Sequence, residues 1–424
     1  MKRRAFISVY DKVGLIDFAR NLTEKFEYEI VASGDTYELL KKADIPSQNL
    51  AEFAPMGSLL GENFDALNSS VLSGVLANSS DTKELSEMEK MTIKPFDMVV
   101  VNLCPFDRLE LDSTDVEDLL GKIDIAGVTL LRAGAKNYKN VTVIMDKIDY
   151  YLAMNANEFG RLKLAAKAFN FTSNYDRLIS QKMLEQTGDK PFKMFNFEKL
   201  KDLKYGENPH QKGSIYKTDR MVDYEVIDDK ELSFNDILNI TEATNIVSEF
   251  YDVNAVSIIR HTKPCGVALG RSLYEAYTKA FDCDPISSYY GTVGFSKTVD
   301  AEIAKHLNSM SVEVIVAPDY DKEALEVFKD NADIKLVKLK TTLKEYRNLI
   351  REEVIMSPFG ALVQDSNSSE LAKDTFKVVT KEKPTKEQIE DAIFAWKVVK
   401  YSKTNSAVIA RDFKTFAISQ GQTN

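Results

Sequence analysis

The residues DMVVVNL, at positions 97–103, form the clearest buried β-strand pattern in the sequence. Two other short apolar runs, at residues 5–9 and 28–32, are each followed by a helical pattern, and a fourth run lies at residues 141–145. Short strands rich in valine and isoleucine that alternate with helices are typical of a mostly parallel sheet covered on both faces. The sequence therefore predicts an α/β fold, with a long helix over residues 162–186 closing the first domain.

Length and composition exclude several classes of protein. At about 150 residues per domain, 424 residues predict about three domains. No apolar run approaches the roughly 18 residues of a membrane helix, so no membrane partner is expected. The net charge of −10 argues against a large nucleic-acid surface. Three cysteines are too few for a disulfide scaffold and indicate a reducing, cytoplasmic location.

Residues 205–211, YGENPHQ, are dense in turn formers and hydrogen-bonding side chains. Gly206, Asn208 and Pro209 fix an irregular backbone, and loops constrained in this way often carry binding groups. The segment also contains His210, one of only three histidines in the chain. It is either a binding loop or a structural turn whose histidine satisfies a buried carbonyl, and the sequence leaves both open.

Residues 260–266, RHTKPCG, directly follow the strand pattern of residues 255–259. A cation, a histidine and a glycine turn after a buried strand lie where open α/β sheets place ligands. His261 is a candidate general acid or base, and Arg260 is a candidate for stabilising a developing negative charge. The alternative is an exposed Arg-His pair at a strand end. The sequence has no Cys-x-x-Cys, so no metal is expected.

Two N-terminal segments have features of an anion site. Ser33, Gly34 and Thr36 lie between a strand and a helix, where backbone amides can bind a phosphate, although such residues also serve as ordinary helix caps. Arg132 and Lys136 are four residues apart on one predicted helix, with small residues around them. Paired cations on such a face suit an anionic ligand, and a solvated helix face is the alternative.

Nine segments, in order along the chain, resemble the motifs of one family. They are residues 8–12 (SVYDK), 33–36 (SGDT), 102–106 (NLCPF), 123–137 (IDIAGVTLLRAGAKN), 205–211 (YGENPHQ), 261–266 (HTKPCG), 284–287 (DPIS), 312–318 (VEVIVAP) and 402–406 (SKTNS). The family is the bifunctional purine-biosynthesis family that joins aminoimidazole-carboxamide ribonucleotide formyltransferase to inosine monophosphate cyclohydrolase.

The resemblance implies an organisation in three parts. Residues 1–190 would form a doubly wound, methylglyoxal-synthase-like cyclohydrolase domain. Residues 200–365 would form a first cytidine-deaminase-like α/β subdomain of the formyltransferase, without zinc, and residues 366–424 an incomplete second one. The resemblance also implies nucleotide and folate substrates, 10-formyltetrahydrofolate as the formyl donor, and a homodimer that builds the transferase sites.

The resemblance also carries over residue roles. His261 would move the proton, assisted by Arg260, Asn405 and Lys204, while Asp124 and Lys136 would serve the cyclohydrolase. The substrate-binding residues implied by the resemblance and by the motifs above are Tyr205, Gly206, Asn208, His210, Lys12, Ser33, Gly34, Thr36 and Arg132.

The chain departs from the family pattern at both sites. Arg260 stands where the family has lysine, and it keeps the charge but is a poor proton donor. Lys204 stands where the family has arginine, which removes bidentate geometry. In the cyclohydrolase half, Asn63 and Asp65 replace arginine and lysine, so a phosphate would be repelled.

Two further departures lie at strand ends of the same half. Tyr10 replaces serine and Cys104 replaces tyrosine. Together with the altered charges, they predict a weak or absent cyclohydrolase activity. The family also continues beyond residue 424, which predicts an unfinished last sheet with an exposed edge.

Three functions therefore stay open at this stage. The first is a divergent formyltransferase of the purine pathway with a decayed cyclohydrolase half. The second is a catalytically inactive homologue that binds a nucleotide or a protein partner in a regulatory or scaffolding role. The third is an enzyme that formylates a different amine.

Overall fold

The computed structural model describes residues 2–53, 66–104, 120–187, 193, 195, 197–218, 221–227, 229–349, 352–371 and 377–423. The chain divides into two compact units, Met1–Met194 and Phe195–Asn424. The predicted division into 1–190, 200–365 and 366–424 stays a prediction.

The first unit contains a five-stranded parallel sheet in the order β3-β2-β1-β4-β5. The strands are β1 (Arg4–Val9), β2 (Glu29–Ala32), β3 (Gln48–Asn49), β4 (Met98–Asn102) and β5 (Thr142–Ile144). The described helices are α1 (Leu15–Glu24), α2 (Gly34–Lys42), α3 (Leu50–Phe53), α4 (Ser69–Leu76), α5 (Thr82–Lys90), α6 (Ile125–Lys136), α7 (Tyr150–Met154) and α8 (Glu158–Thr187). Strand order changes direction between β1 and β4. In open α/β sheets, the crevice that binds ligands lies at such a reversal, at the carboxyl ends of the strands.

Burial explains why these residues form the central strands. Phe6 of β1 pairs in register with Val31 of β2 and Val99 of β4, and all three side chains are almost completely buried. Strands covered on both faces read as continuous apolar runs, as DMVVVNL does. The predicted α/β fold, its strands and the long helix near residues 162–186 are confirmed.

The second unit contains an eight-stranded mixed sheet in the order β16-β17-β10-β9-β11-β12-β13-β8. Its strands are β8 (Tyr224–Ile227), β9 (Asn254–Arg260), β10 (Lys263–Gly270), β11 (Gly291–Phe295), β12 (Val312–Ala317), β13 (Lys335–Leu339), β16 (Ala407–Arg411) and β17 (Lys414–Ser419). Two hairpins lie outside it: β6 (Glu198–Leu203) with β7 (Gly213–Lys217), and β14 (Glu352–Ser357) with β15 (Gly360–Asp365). The helices are α9 (Phe234–Ser248), α10 (Leu273–Phe281), α11 (Ala301–Asn308), α12 (Lys322–Phe328), α13 (Leu343–Leu349) and α14 (Lys386–Val399).

Side chains of β9 alternate between two cores, one on each face of this sheet. Val256 and Ile258 belong to the first core, and Ala255 and Ile259 belong to the second. Both faces of the sheet are therefore covered, so we expect functional side chains at the ends of the strands.

One expectation from the sequence is wrong in this unit. Residues 263–266 do not form a turn, because they begin β10, which returns antiparallel beside β9. The last strand, β17, pairs with β10 on one side and with β16 on the other. In the described chain β16 is therefore an edge strand of this sheet, and the expectation of an unfinished sheet stays a prediction.

Candidate functional site

His261 and Thr262 are the two central residues of the β9–β10 hairpin turn. Arg260 pairs with Lys263, and the φ angles between them are 50° at His261 and 61° at Thr262. Such turns usually have asparagine and glycine at these positions, since a side chain is strained in the left-handed region. Strain of this kind persists where the surroundings hold it, often at functional sites. Here the turn presents an exposed imidazole at the end of a buried strand.

Two neighbours fix the turn and its arginine. The Thr262 backbone N–H donates to Asn239 Oδ1 of α9 at 2.8 Å. The Arg260 guanidinium donates a hydrogen bond from Nη1 to the Tyr289 carbonyl, and its Nε lies 3.5 Å from His261 Nε2. A permanent cation therefore stands beside a titratable ring. This pairing suits transfer of a proton with stabilisation of an adjacent anion.

The loop of residues 205–211 connects β6 to β7 and is closed by its own hydrogen bonds. Gly206 N–H donates to the Gln211 carbonyl at 2.7 Å, and the Asn208 side-chain and backbone N–H groups both donate to Gln211 Oε1 at 2.9 Å. A Cβ on Gly213 would lie 2.7 Å from the Tyr205 carbonyl, so only glycine fits at that position. Lys204 and His210 are exposed beside this rigid loop.

Helix α9 links the loop to the hairpin turn. Asn235 Nδ2 donates to the Glu207 carbonyl at 3.1 Å, and Asn239 binds Thr262 one helical turn further along. Glu242 follows on the same face, where the charge of Lys403 acts on its carboxylate. These three residues were not among the predicted site residues. The signal that the sequence offers is a stripe of two asparagines and a glutamate at positions i, i+4 and i+7 of α9.

The segment of residues 403–405 lies at the same end of the sheet as His261. Ala407, at the start of β16, pairs with Ser419, while Thr415 of β17 lies beside Val267 of β10. This register directs the end of β17 and the start of β16 toward the β9–β10 turn. Backbone bonds from Gly421 to the Lys403 carbonyl and from Gln422 to the Asn405 carbonyl hold the segment at 3.1 and 3.2 Å.

The turn that precedes β11 borders the same end of the sheet. Asp284 accepts hydrogen bonds from the Ser287 hydroxyl at 2.5 Å and from its backbone N–H at 2.9 Å, and these bonds lower the pKa of Asp284. Burial raises the pKa of Cys265 to about 11, so its thiol is not ionised at neutral pH. Cys265 is therefore suited to packing rather than to a role as a nucleophile.

A second group of predicted residues lies at the carboxyl ends of β1 and β2 in the first unit. The Ser33 hydroxyl donates to Ser8 Oγ at 2.7 Å instead of capping α2, and Gly34 has φ 43°. The Thr36 hydroxyl is buried and bonds both the N–H and the carbonyl of Val9. Thr36 therefore fixes the end of β1, and backbone amides at the start of α2 are left to meet a ligand.

Asn102, the last residue of β4, and Asp124, the N-cap of α6, lie at the same end of the sheet. Asn102 Oδ1 accepts hydrogen bonds from the backbone N–H groups of Tyr10 at 2.6 Å and Asp11 at 2.9 Å. Asp124 caps α6 by accepting from Gly127 N–H at 2.7 Å, and its own N–H donates to the Tyr175 hydroxyl at 2.9 Å. Lys12, half-buried after β1, belongs to this edge.

The structure does not bring Lys136 and Arg132 to this group. Lys136 ends α6, twelve residues after Asp124, which corresponds to about 18 Å along the helix axis. Arg132 is exposed, 3.4 Å from the Thr172 hydroxyl and over the Phe169 ring of α8. The substitutions at Asn63 and Asp65 lie outside the described residues.

The part of the chain that the structure describes contains neither a candidate metal site nor a candidate membrane span. No three ligating side chains among His, Cys, Asp and Glu lie together as a metal site. Among the same residues, no helix is both long and apolar enough to cross a bilayer.

Comparison with known proteins gives consistent matches. A family model described as "AICARFT/IMPCHase bienzyme" matches residues 134–424, and one described as "MGS-like domain" matches residues 14–129. Proteins called "Bifunctional purine biosynthesis protein PurH" are 39% identical in Brachyspira hyodysenteriae, 36% in a Thermoanaerobacter species and 38% in Clostridium botulinum. Each match covers 100% of this chain, and 86%, 85% and 85% of the relatives in that order.

Proposed function

This chain belongs to the AICARFT/IMPCHase bienzyme family of purine biosynthesis, and we propose that its second unit transfers a formyl group from 10-formyltetrahydrofolate to aminoimidazole-carboxamide ribonucleotide. The observation that carries the proposal is that two of the candidate segments are hydrogen-bonded to the same helix, α9. Asn235 and Asn239 tie the 205–211 loop and the His261 turn to adjacent turns of one helix.

The reaction explains why these groups are needed. The lone pair of the acceptor amine is delocalised into the imidazole, so the amine is a weak nucleophile. As its nitrogen bonds to the formyl carbon, His261 accepts the amine proton and Arg260 stabilises the negative charge on the formyl oxygen. The bond from the formyl carbon to the folate nitrogen then breaks, and that nitrogen receives the proton.

The remaining predicted residues are assigned to substrate positioning. Lys204 and His210 are exposed beside the rigid 205–211 loop, and Asn405 lies at the same sheet end as His261. We propose that these side chains hold the ribonucleotide, and that the turnover uses folate as a co-substrate and no metal. Tyr205, Gly206 and Asn208 shape the loop.

The first unit is proposed to close the purine ring more slowly than the second unit transfers the formyl group. The crevice at β1, β2 and β4 retains Lys12, Gly34 and Asp124, but the sequence places Asp65 where the family has a lysine. A carboxylate in a phosphate-binding pocket weakens binding of an anionic substrate. We also propose a cytoplasmic homodimer that binds neither nucleic acid nor membrane.

The test is a two-channel assay of the purified full chain. Formyl transfer is followed by the appearance of tetrahydrofolate, and ring closure by the appearance of inosine monophosphate from the formylated ribonucleotide. The proposal predicts turnover in the first channel and slower turnover in the second. Binding of both substrates in a thermal-shift assay without turnover in either channel would instead indicate an inactive, ligand-binding homologue.

A further inference from the structure

A cavity of about 160 Å³ lies in the first unit at the amino ends of β1 and β4. Four of its lining residues are cationic and one is a carboxylate, namely Lys2, Arg3, Arg4 and Lys94 with Asp97. Strand β1 has six residues, which at about 3.3 Å per residue places its two ends about 20 Å apart. The cavity is therefore separate from the predicted ligand site at the carboxyl ends of the same strands.

The carboxylate of this lining is bonded to the chain itself. The Arg4 backbone N–H donates to Asp97 Oδ2 at 2.7 Å, and the Asp97 N–H donates to the Arg4 carbonyl at 2.8 Å. Burial raises the pKa of Asp97, while the Arg4 N–H and the charges of Arg3 and Arg4 oppose that rise. Asp97 thus fixes the start of β1 against the start of β4, and a single carboxylate does not neutralise four cations.

Several donors of the lining remain available to a ligand. Arg4 is 5% exposed, and its Nη2 lies 3.1 Å from Glu29 Oε2, but its buried Nε has no hydrogen-bond partner among the described residues. Lys2 and Lys94 are exposed and form no ion pair with any residue that the structure describes. Buried donors are nearly always paired in folded proteins, and an anion in this cavity would accept from Arg4 and from both lysines.

We propose that this cavity binds a phosphate group, either as the free ion or as the end of a small phosphate ester. A phosphate accepts several hydrogen bonds at once, and arginine and lysine are the side chains that bind it. The cavity is smaller than the roughly 300–1,000 Å³ of pockets that enclose a whole drug-sized ligand. It therefore suits one phosphate group, with the remainder of an ester left in solvent.

The position of the cavity gives binding a consequence for the fold. Residues 2–4 and 94–97 are far apart in the sequence, and a phosphate held between them joins the starts of the two central strands of the sheet. A ligand that binds the folded chain but not the unfolded chain raises Tm as its concentration increases. Phosphate is therefore expected to stabilise the first unit, beyond any effect of ionic strength.

The test measures binding of radiolabelled inorganic phosphate to the full chain by equilibrium dialysis, with sodium chloride holding the ionic strength constant. The double variant Lys2→Gln with Lys94→Gln is expected to weaken this binding at least about tenfold, because two charged donors are lost. The control Lys25→Gln with Lys83→Gln removes two exposed lysines outside the cavity and is expected to keep the parent affinity. Both enzymatic rates, measured without phosphate, are expected to stay within about twofold of the parent in both variants.

The outcomes are distinct from those that test the proposed function. A parent chain without saturable phosphate binding, or a double variant that binds phosphate as tightly as the parent, would overturn the site. Competition with glycerol 3-phosphate separates the two sources: an ester that binds more tightly than the free ion identifies an ester site, and the reverse identifies a site for the ion. Because the readout is binding, a chain that lacks both enzymatic activities would contradict the proposed function and leave this test valid.

Discussion

Two glutamates have opposite electrostatic surroundings: Glu242, which is half-buried within α9, and Glu249, which is buried directly after it. Burial raises the pKa of Glu242, and the charge of Glu353 adds to this effect, while a hydrogen bond from Asn245 and the charge of Lys403 only partly offset it. Burial also opposes ionisation of Glu249, but Lys400, Tyr401 and Arg347 outweigh it and lower the pKa of Glu249. Removing the charge is therefore expected to stabilise the protein at Glu242 and to destabilise it at Glu249.

Replacing Glu242 with glutamine is expected to raise Tm at pH 7.5. When folding raises the pKa of a carboxyl group, the free energy of unfolding falls as the pH rises from the pKa of the unfolded state through the pKa of the folded state. The variant does not ionise and avoids that loss, so its advantage should disappear near pH 4. Calorimetry of parent and variant at both pH values measures the difference. A variant that is less stable than the parent at pH 7.5 would contradict this reading.

Replacing Glu249 with glutamine is expected to destabilise the second unit by about 3–5 kcal/mol, because Lys400 would lose its buried partner. The Glu249 side chain is 2% exposed, and its carboxylate oxygens lie 2.7 Å from Lys400 Nζ and 3.0 Å from Arg347 Nη2. Since folding lowers its pKa, this stabilisation is present above its ordinary pKa and lost as the pH falls through the folded value. Urea unfolding at pH 7 measures the cost, with the exposed Glu326→Gln as the control.

At the scale of elements, a hydrogen bond to Asn239 of α9 holds the turn of the β9–β10 hairpin in place. Asn239→Leu removes the acceptor of Thr262 N–H and is expected to cost about 1–3 kcal/mol of stability. The same change should lower kcat for formyl transfer, because the strained turn that positions His261 is released. Asn239→Asp keeps an acceptor at the same place and is expected to recover most of kcat. Equal losses in both variants would argue against a positioning role.

The elements also show what sequence reasoning predicts and where it fails. Strands such as β4 and β12 and helix α8 follow from continuous apolar runs and helical spacing, which are local properties. The turn between β9 and β10 has His261 and Thr262 in place of the usual Asn-Gly signal, so the sequence did not mark the hairpin. The place of β17 inside the sheet depends on long-range pairing, which no local pattern encodes. The sequence likewise singles out His261 as a candidate, which stays a prediction, but not Asn239 of α9, which binds the adjacent Thr262 N–H.

At the scale of the whole molecule, the β14–β15 hairpin presents apolar side chains to solvent. Ile355 pairs with Leu362 across the hairpin, and their exposed fractions are 57% and 62%. Phe359 at the turn is fully exposed. An apolar two-stranded ribbon is rarely stable alone in water. We therefore propose that a second copy of this chain covers the hairpin in a homodimer.

Placing a lysine at Ile355 and at Leu362 together is expected to convert the dimer to a monomer, because two charges would be buried without partners. Sedimentation velocity of the full chain measures the mass of both forms. Asp365→Lys reverses a charge at the base of the same hairpin, opposite Glu352, and should leave the dimer intact. A parent chain that sediments as a monomer, or a double variant that still forms a dimer, would contradict the role of this hairpin.

The most direct measurement is the rate of formyl transfer after His261 is replaced by glutamine, with His306→Gln as the matched control. His306 lies on α11 against the rings of Tyr274 and Tyr277 and is not part of the candidate site. Loss of the base at position 261 is expected to lower kcat by about 100- to 10,000-fold, while the variant at position 306 stays within about twofold of the parent. A His261→Gln variant that transfers the formyl group as fast as the parent would contradict the account.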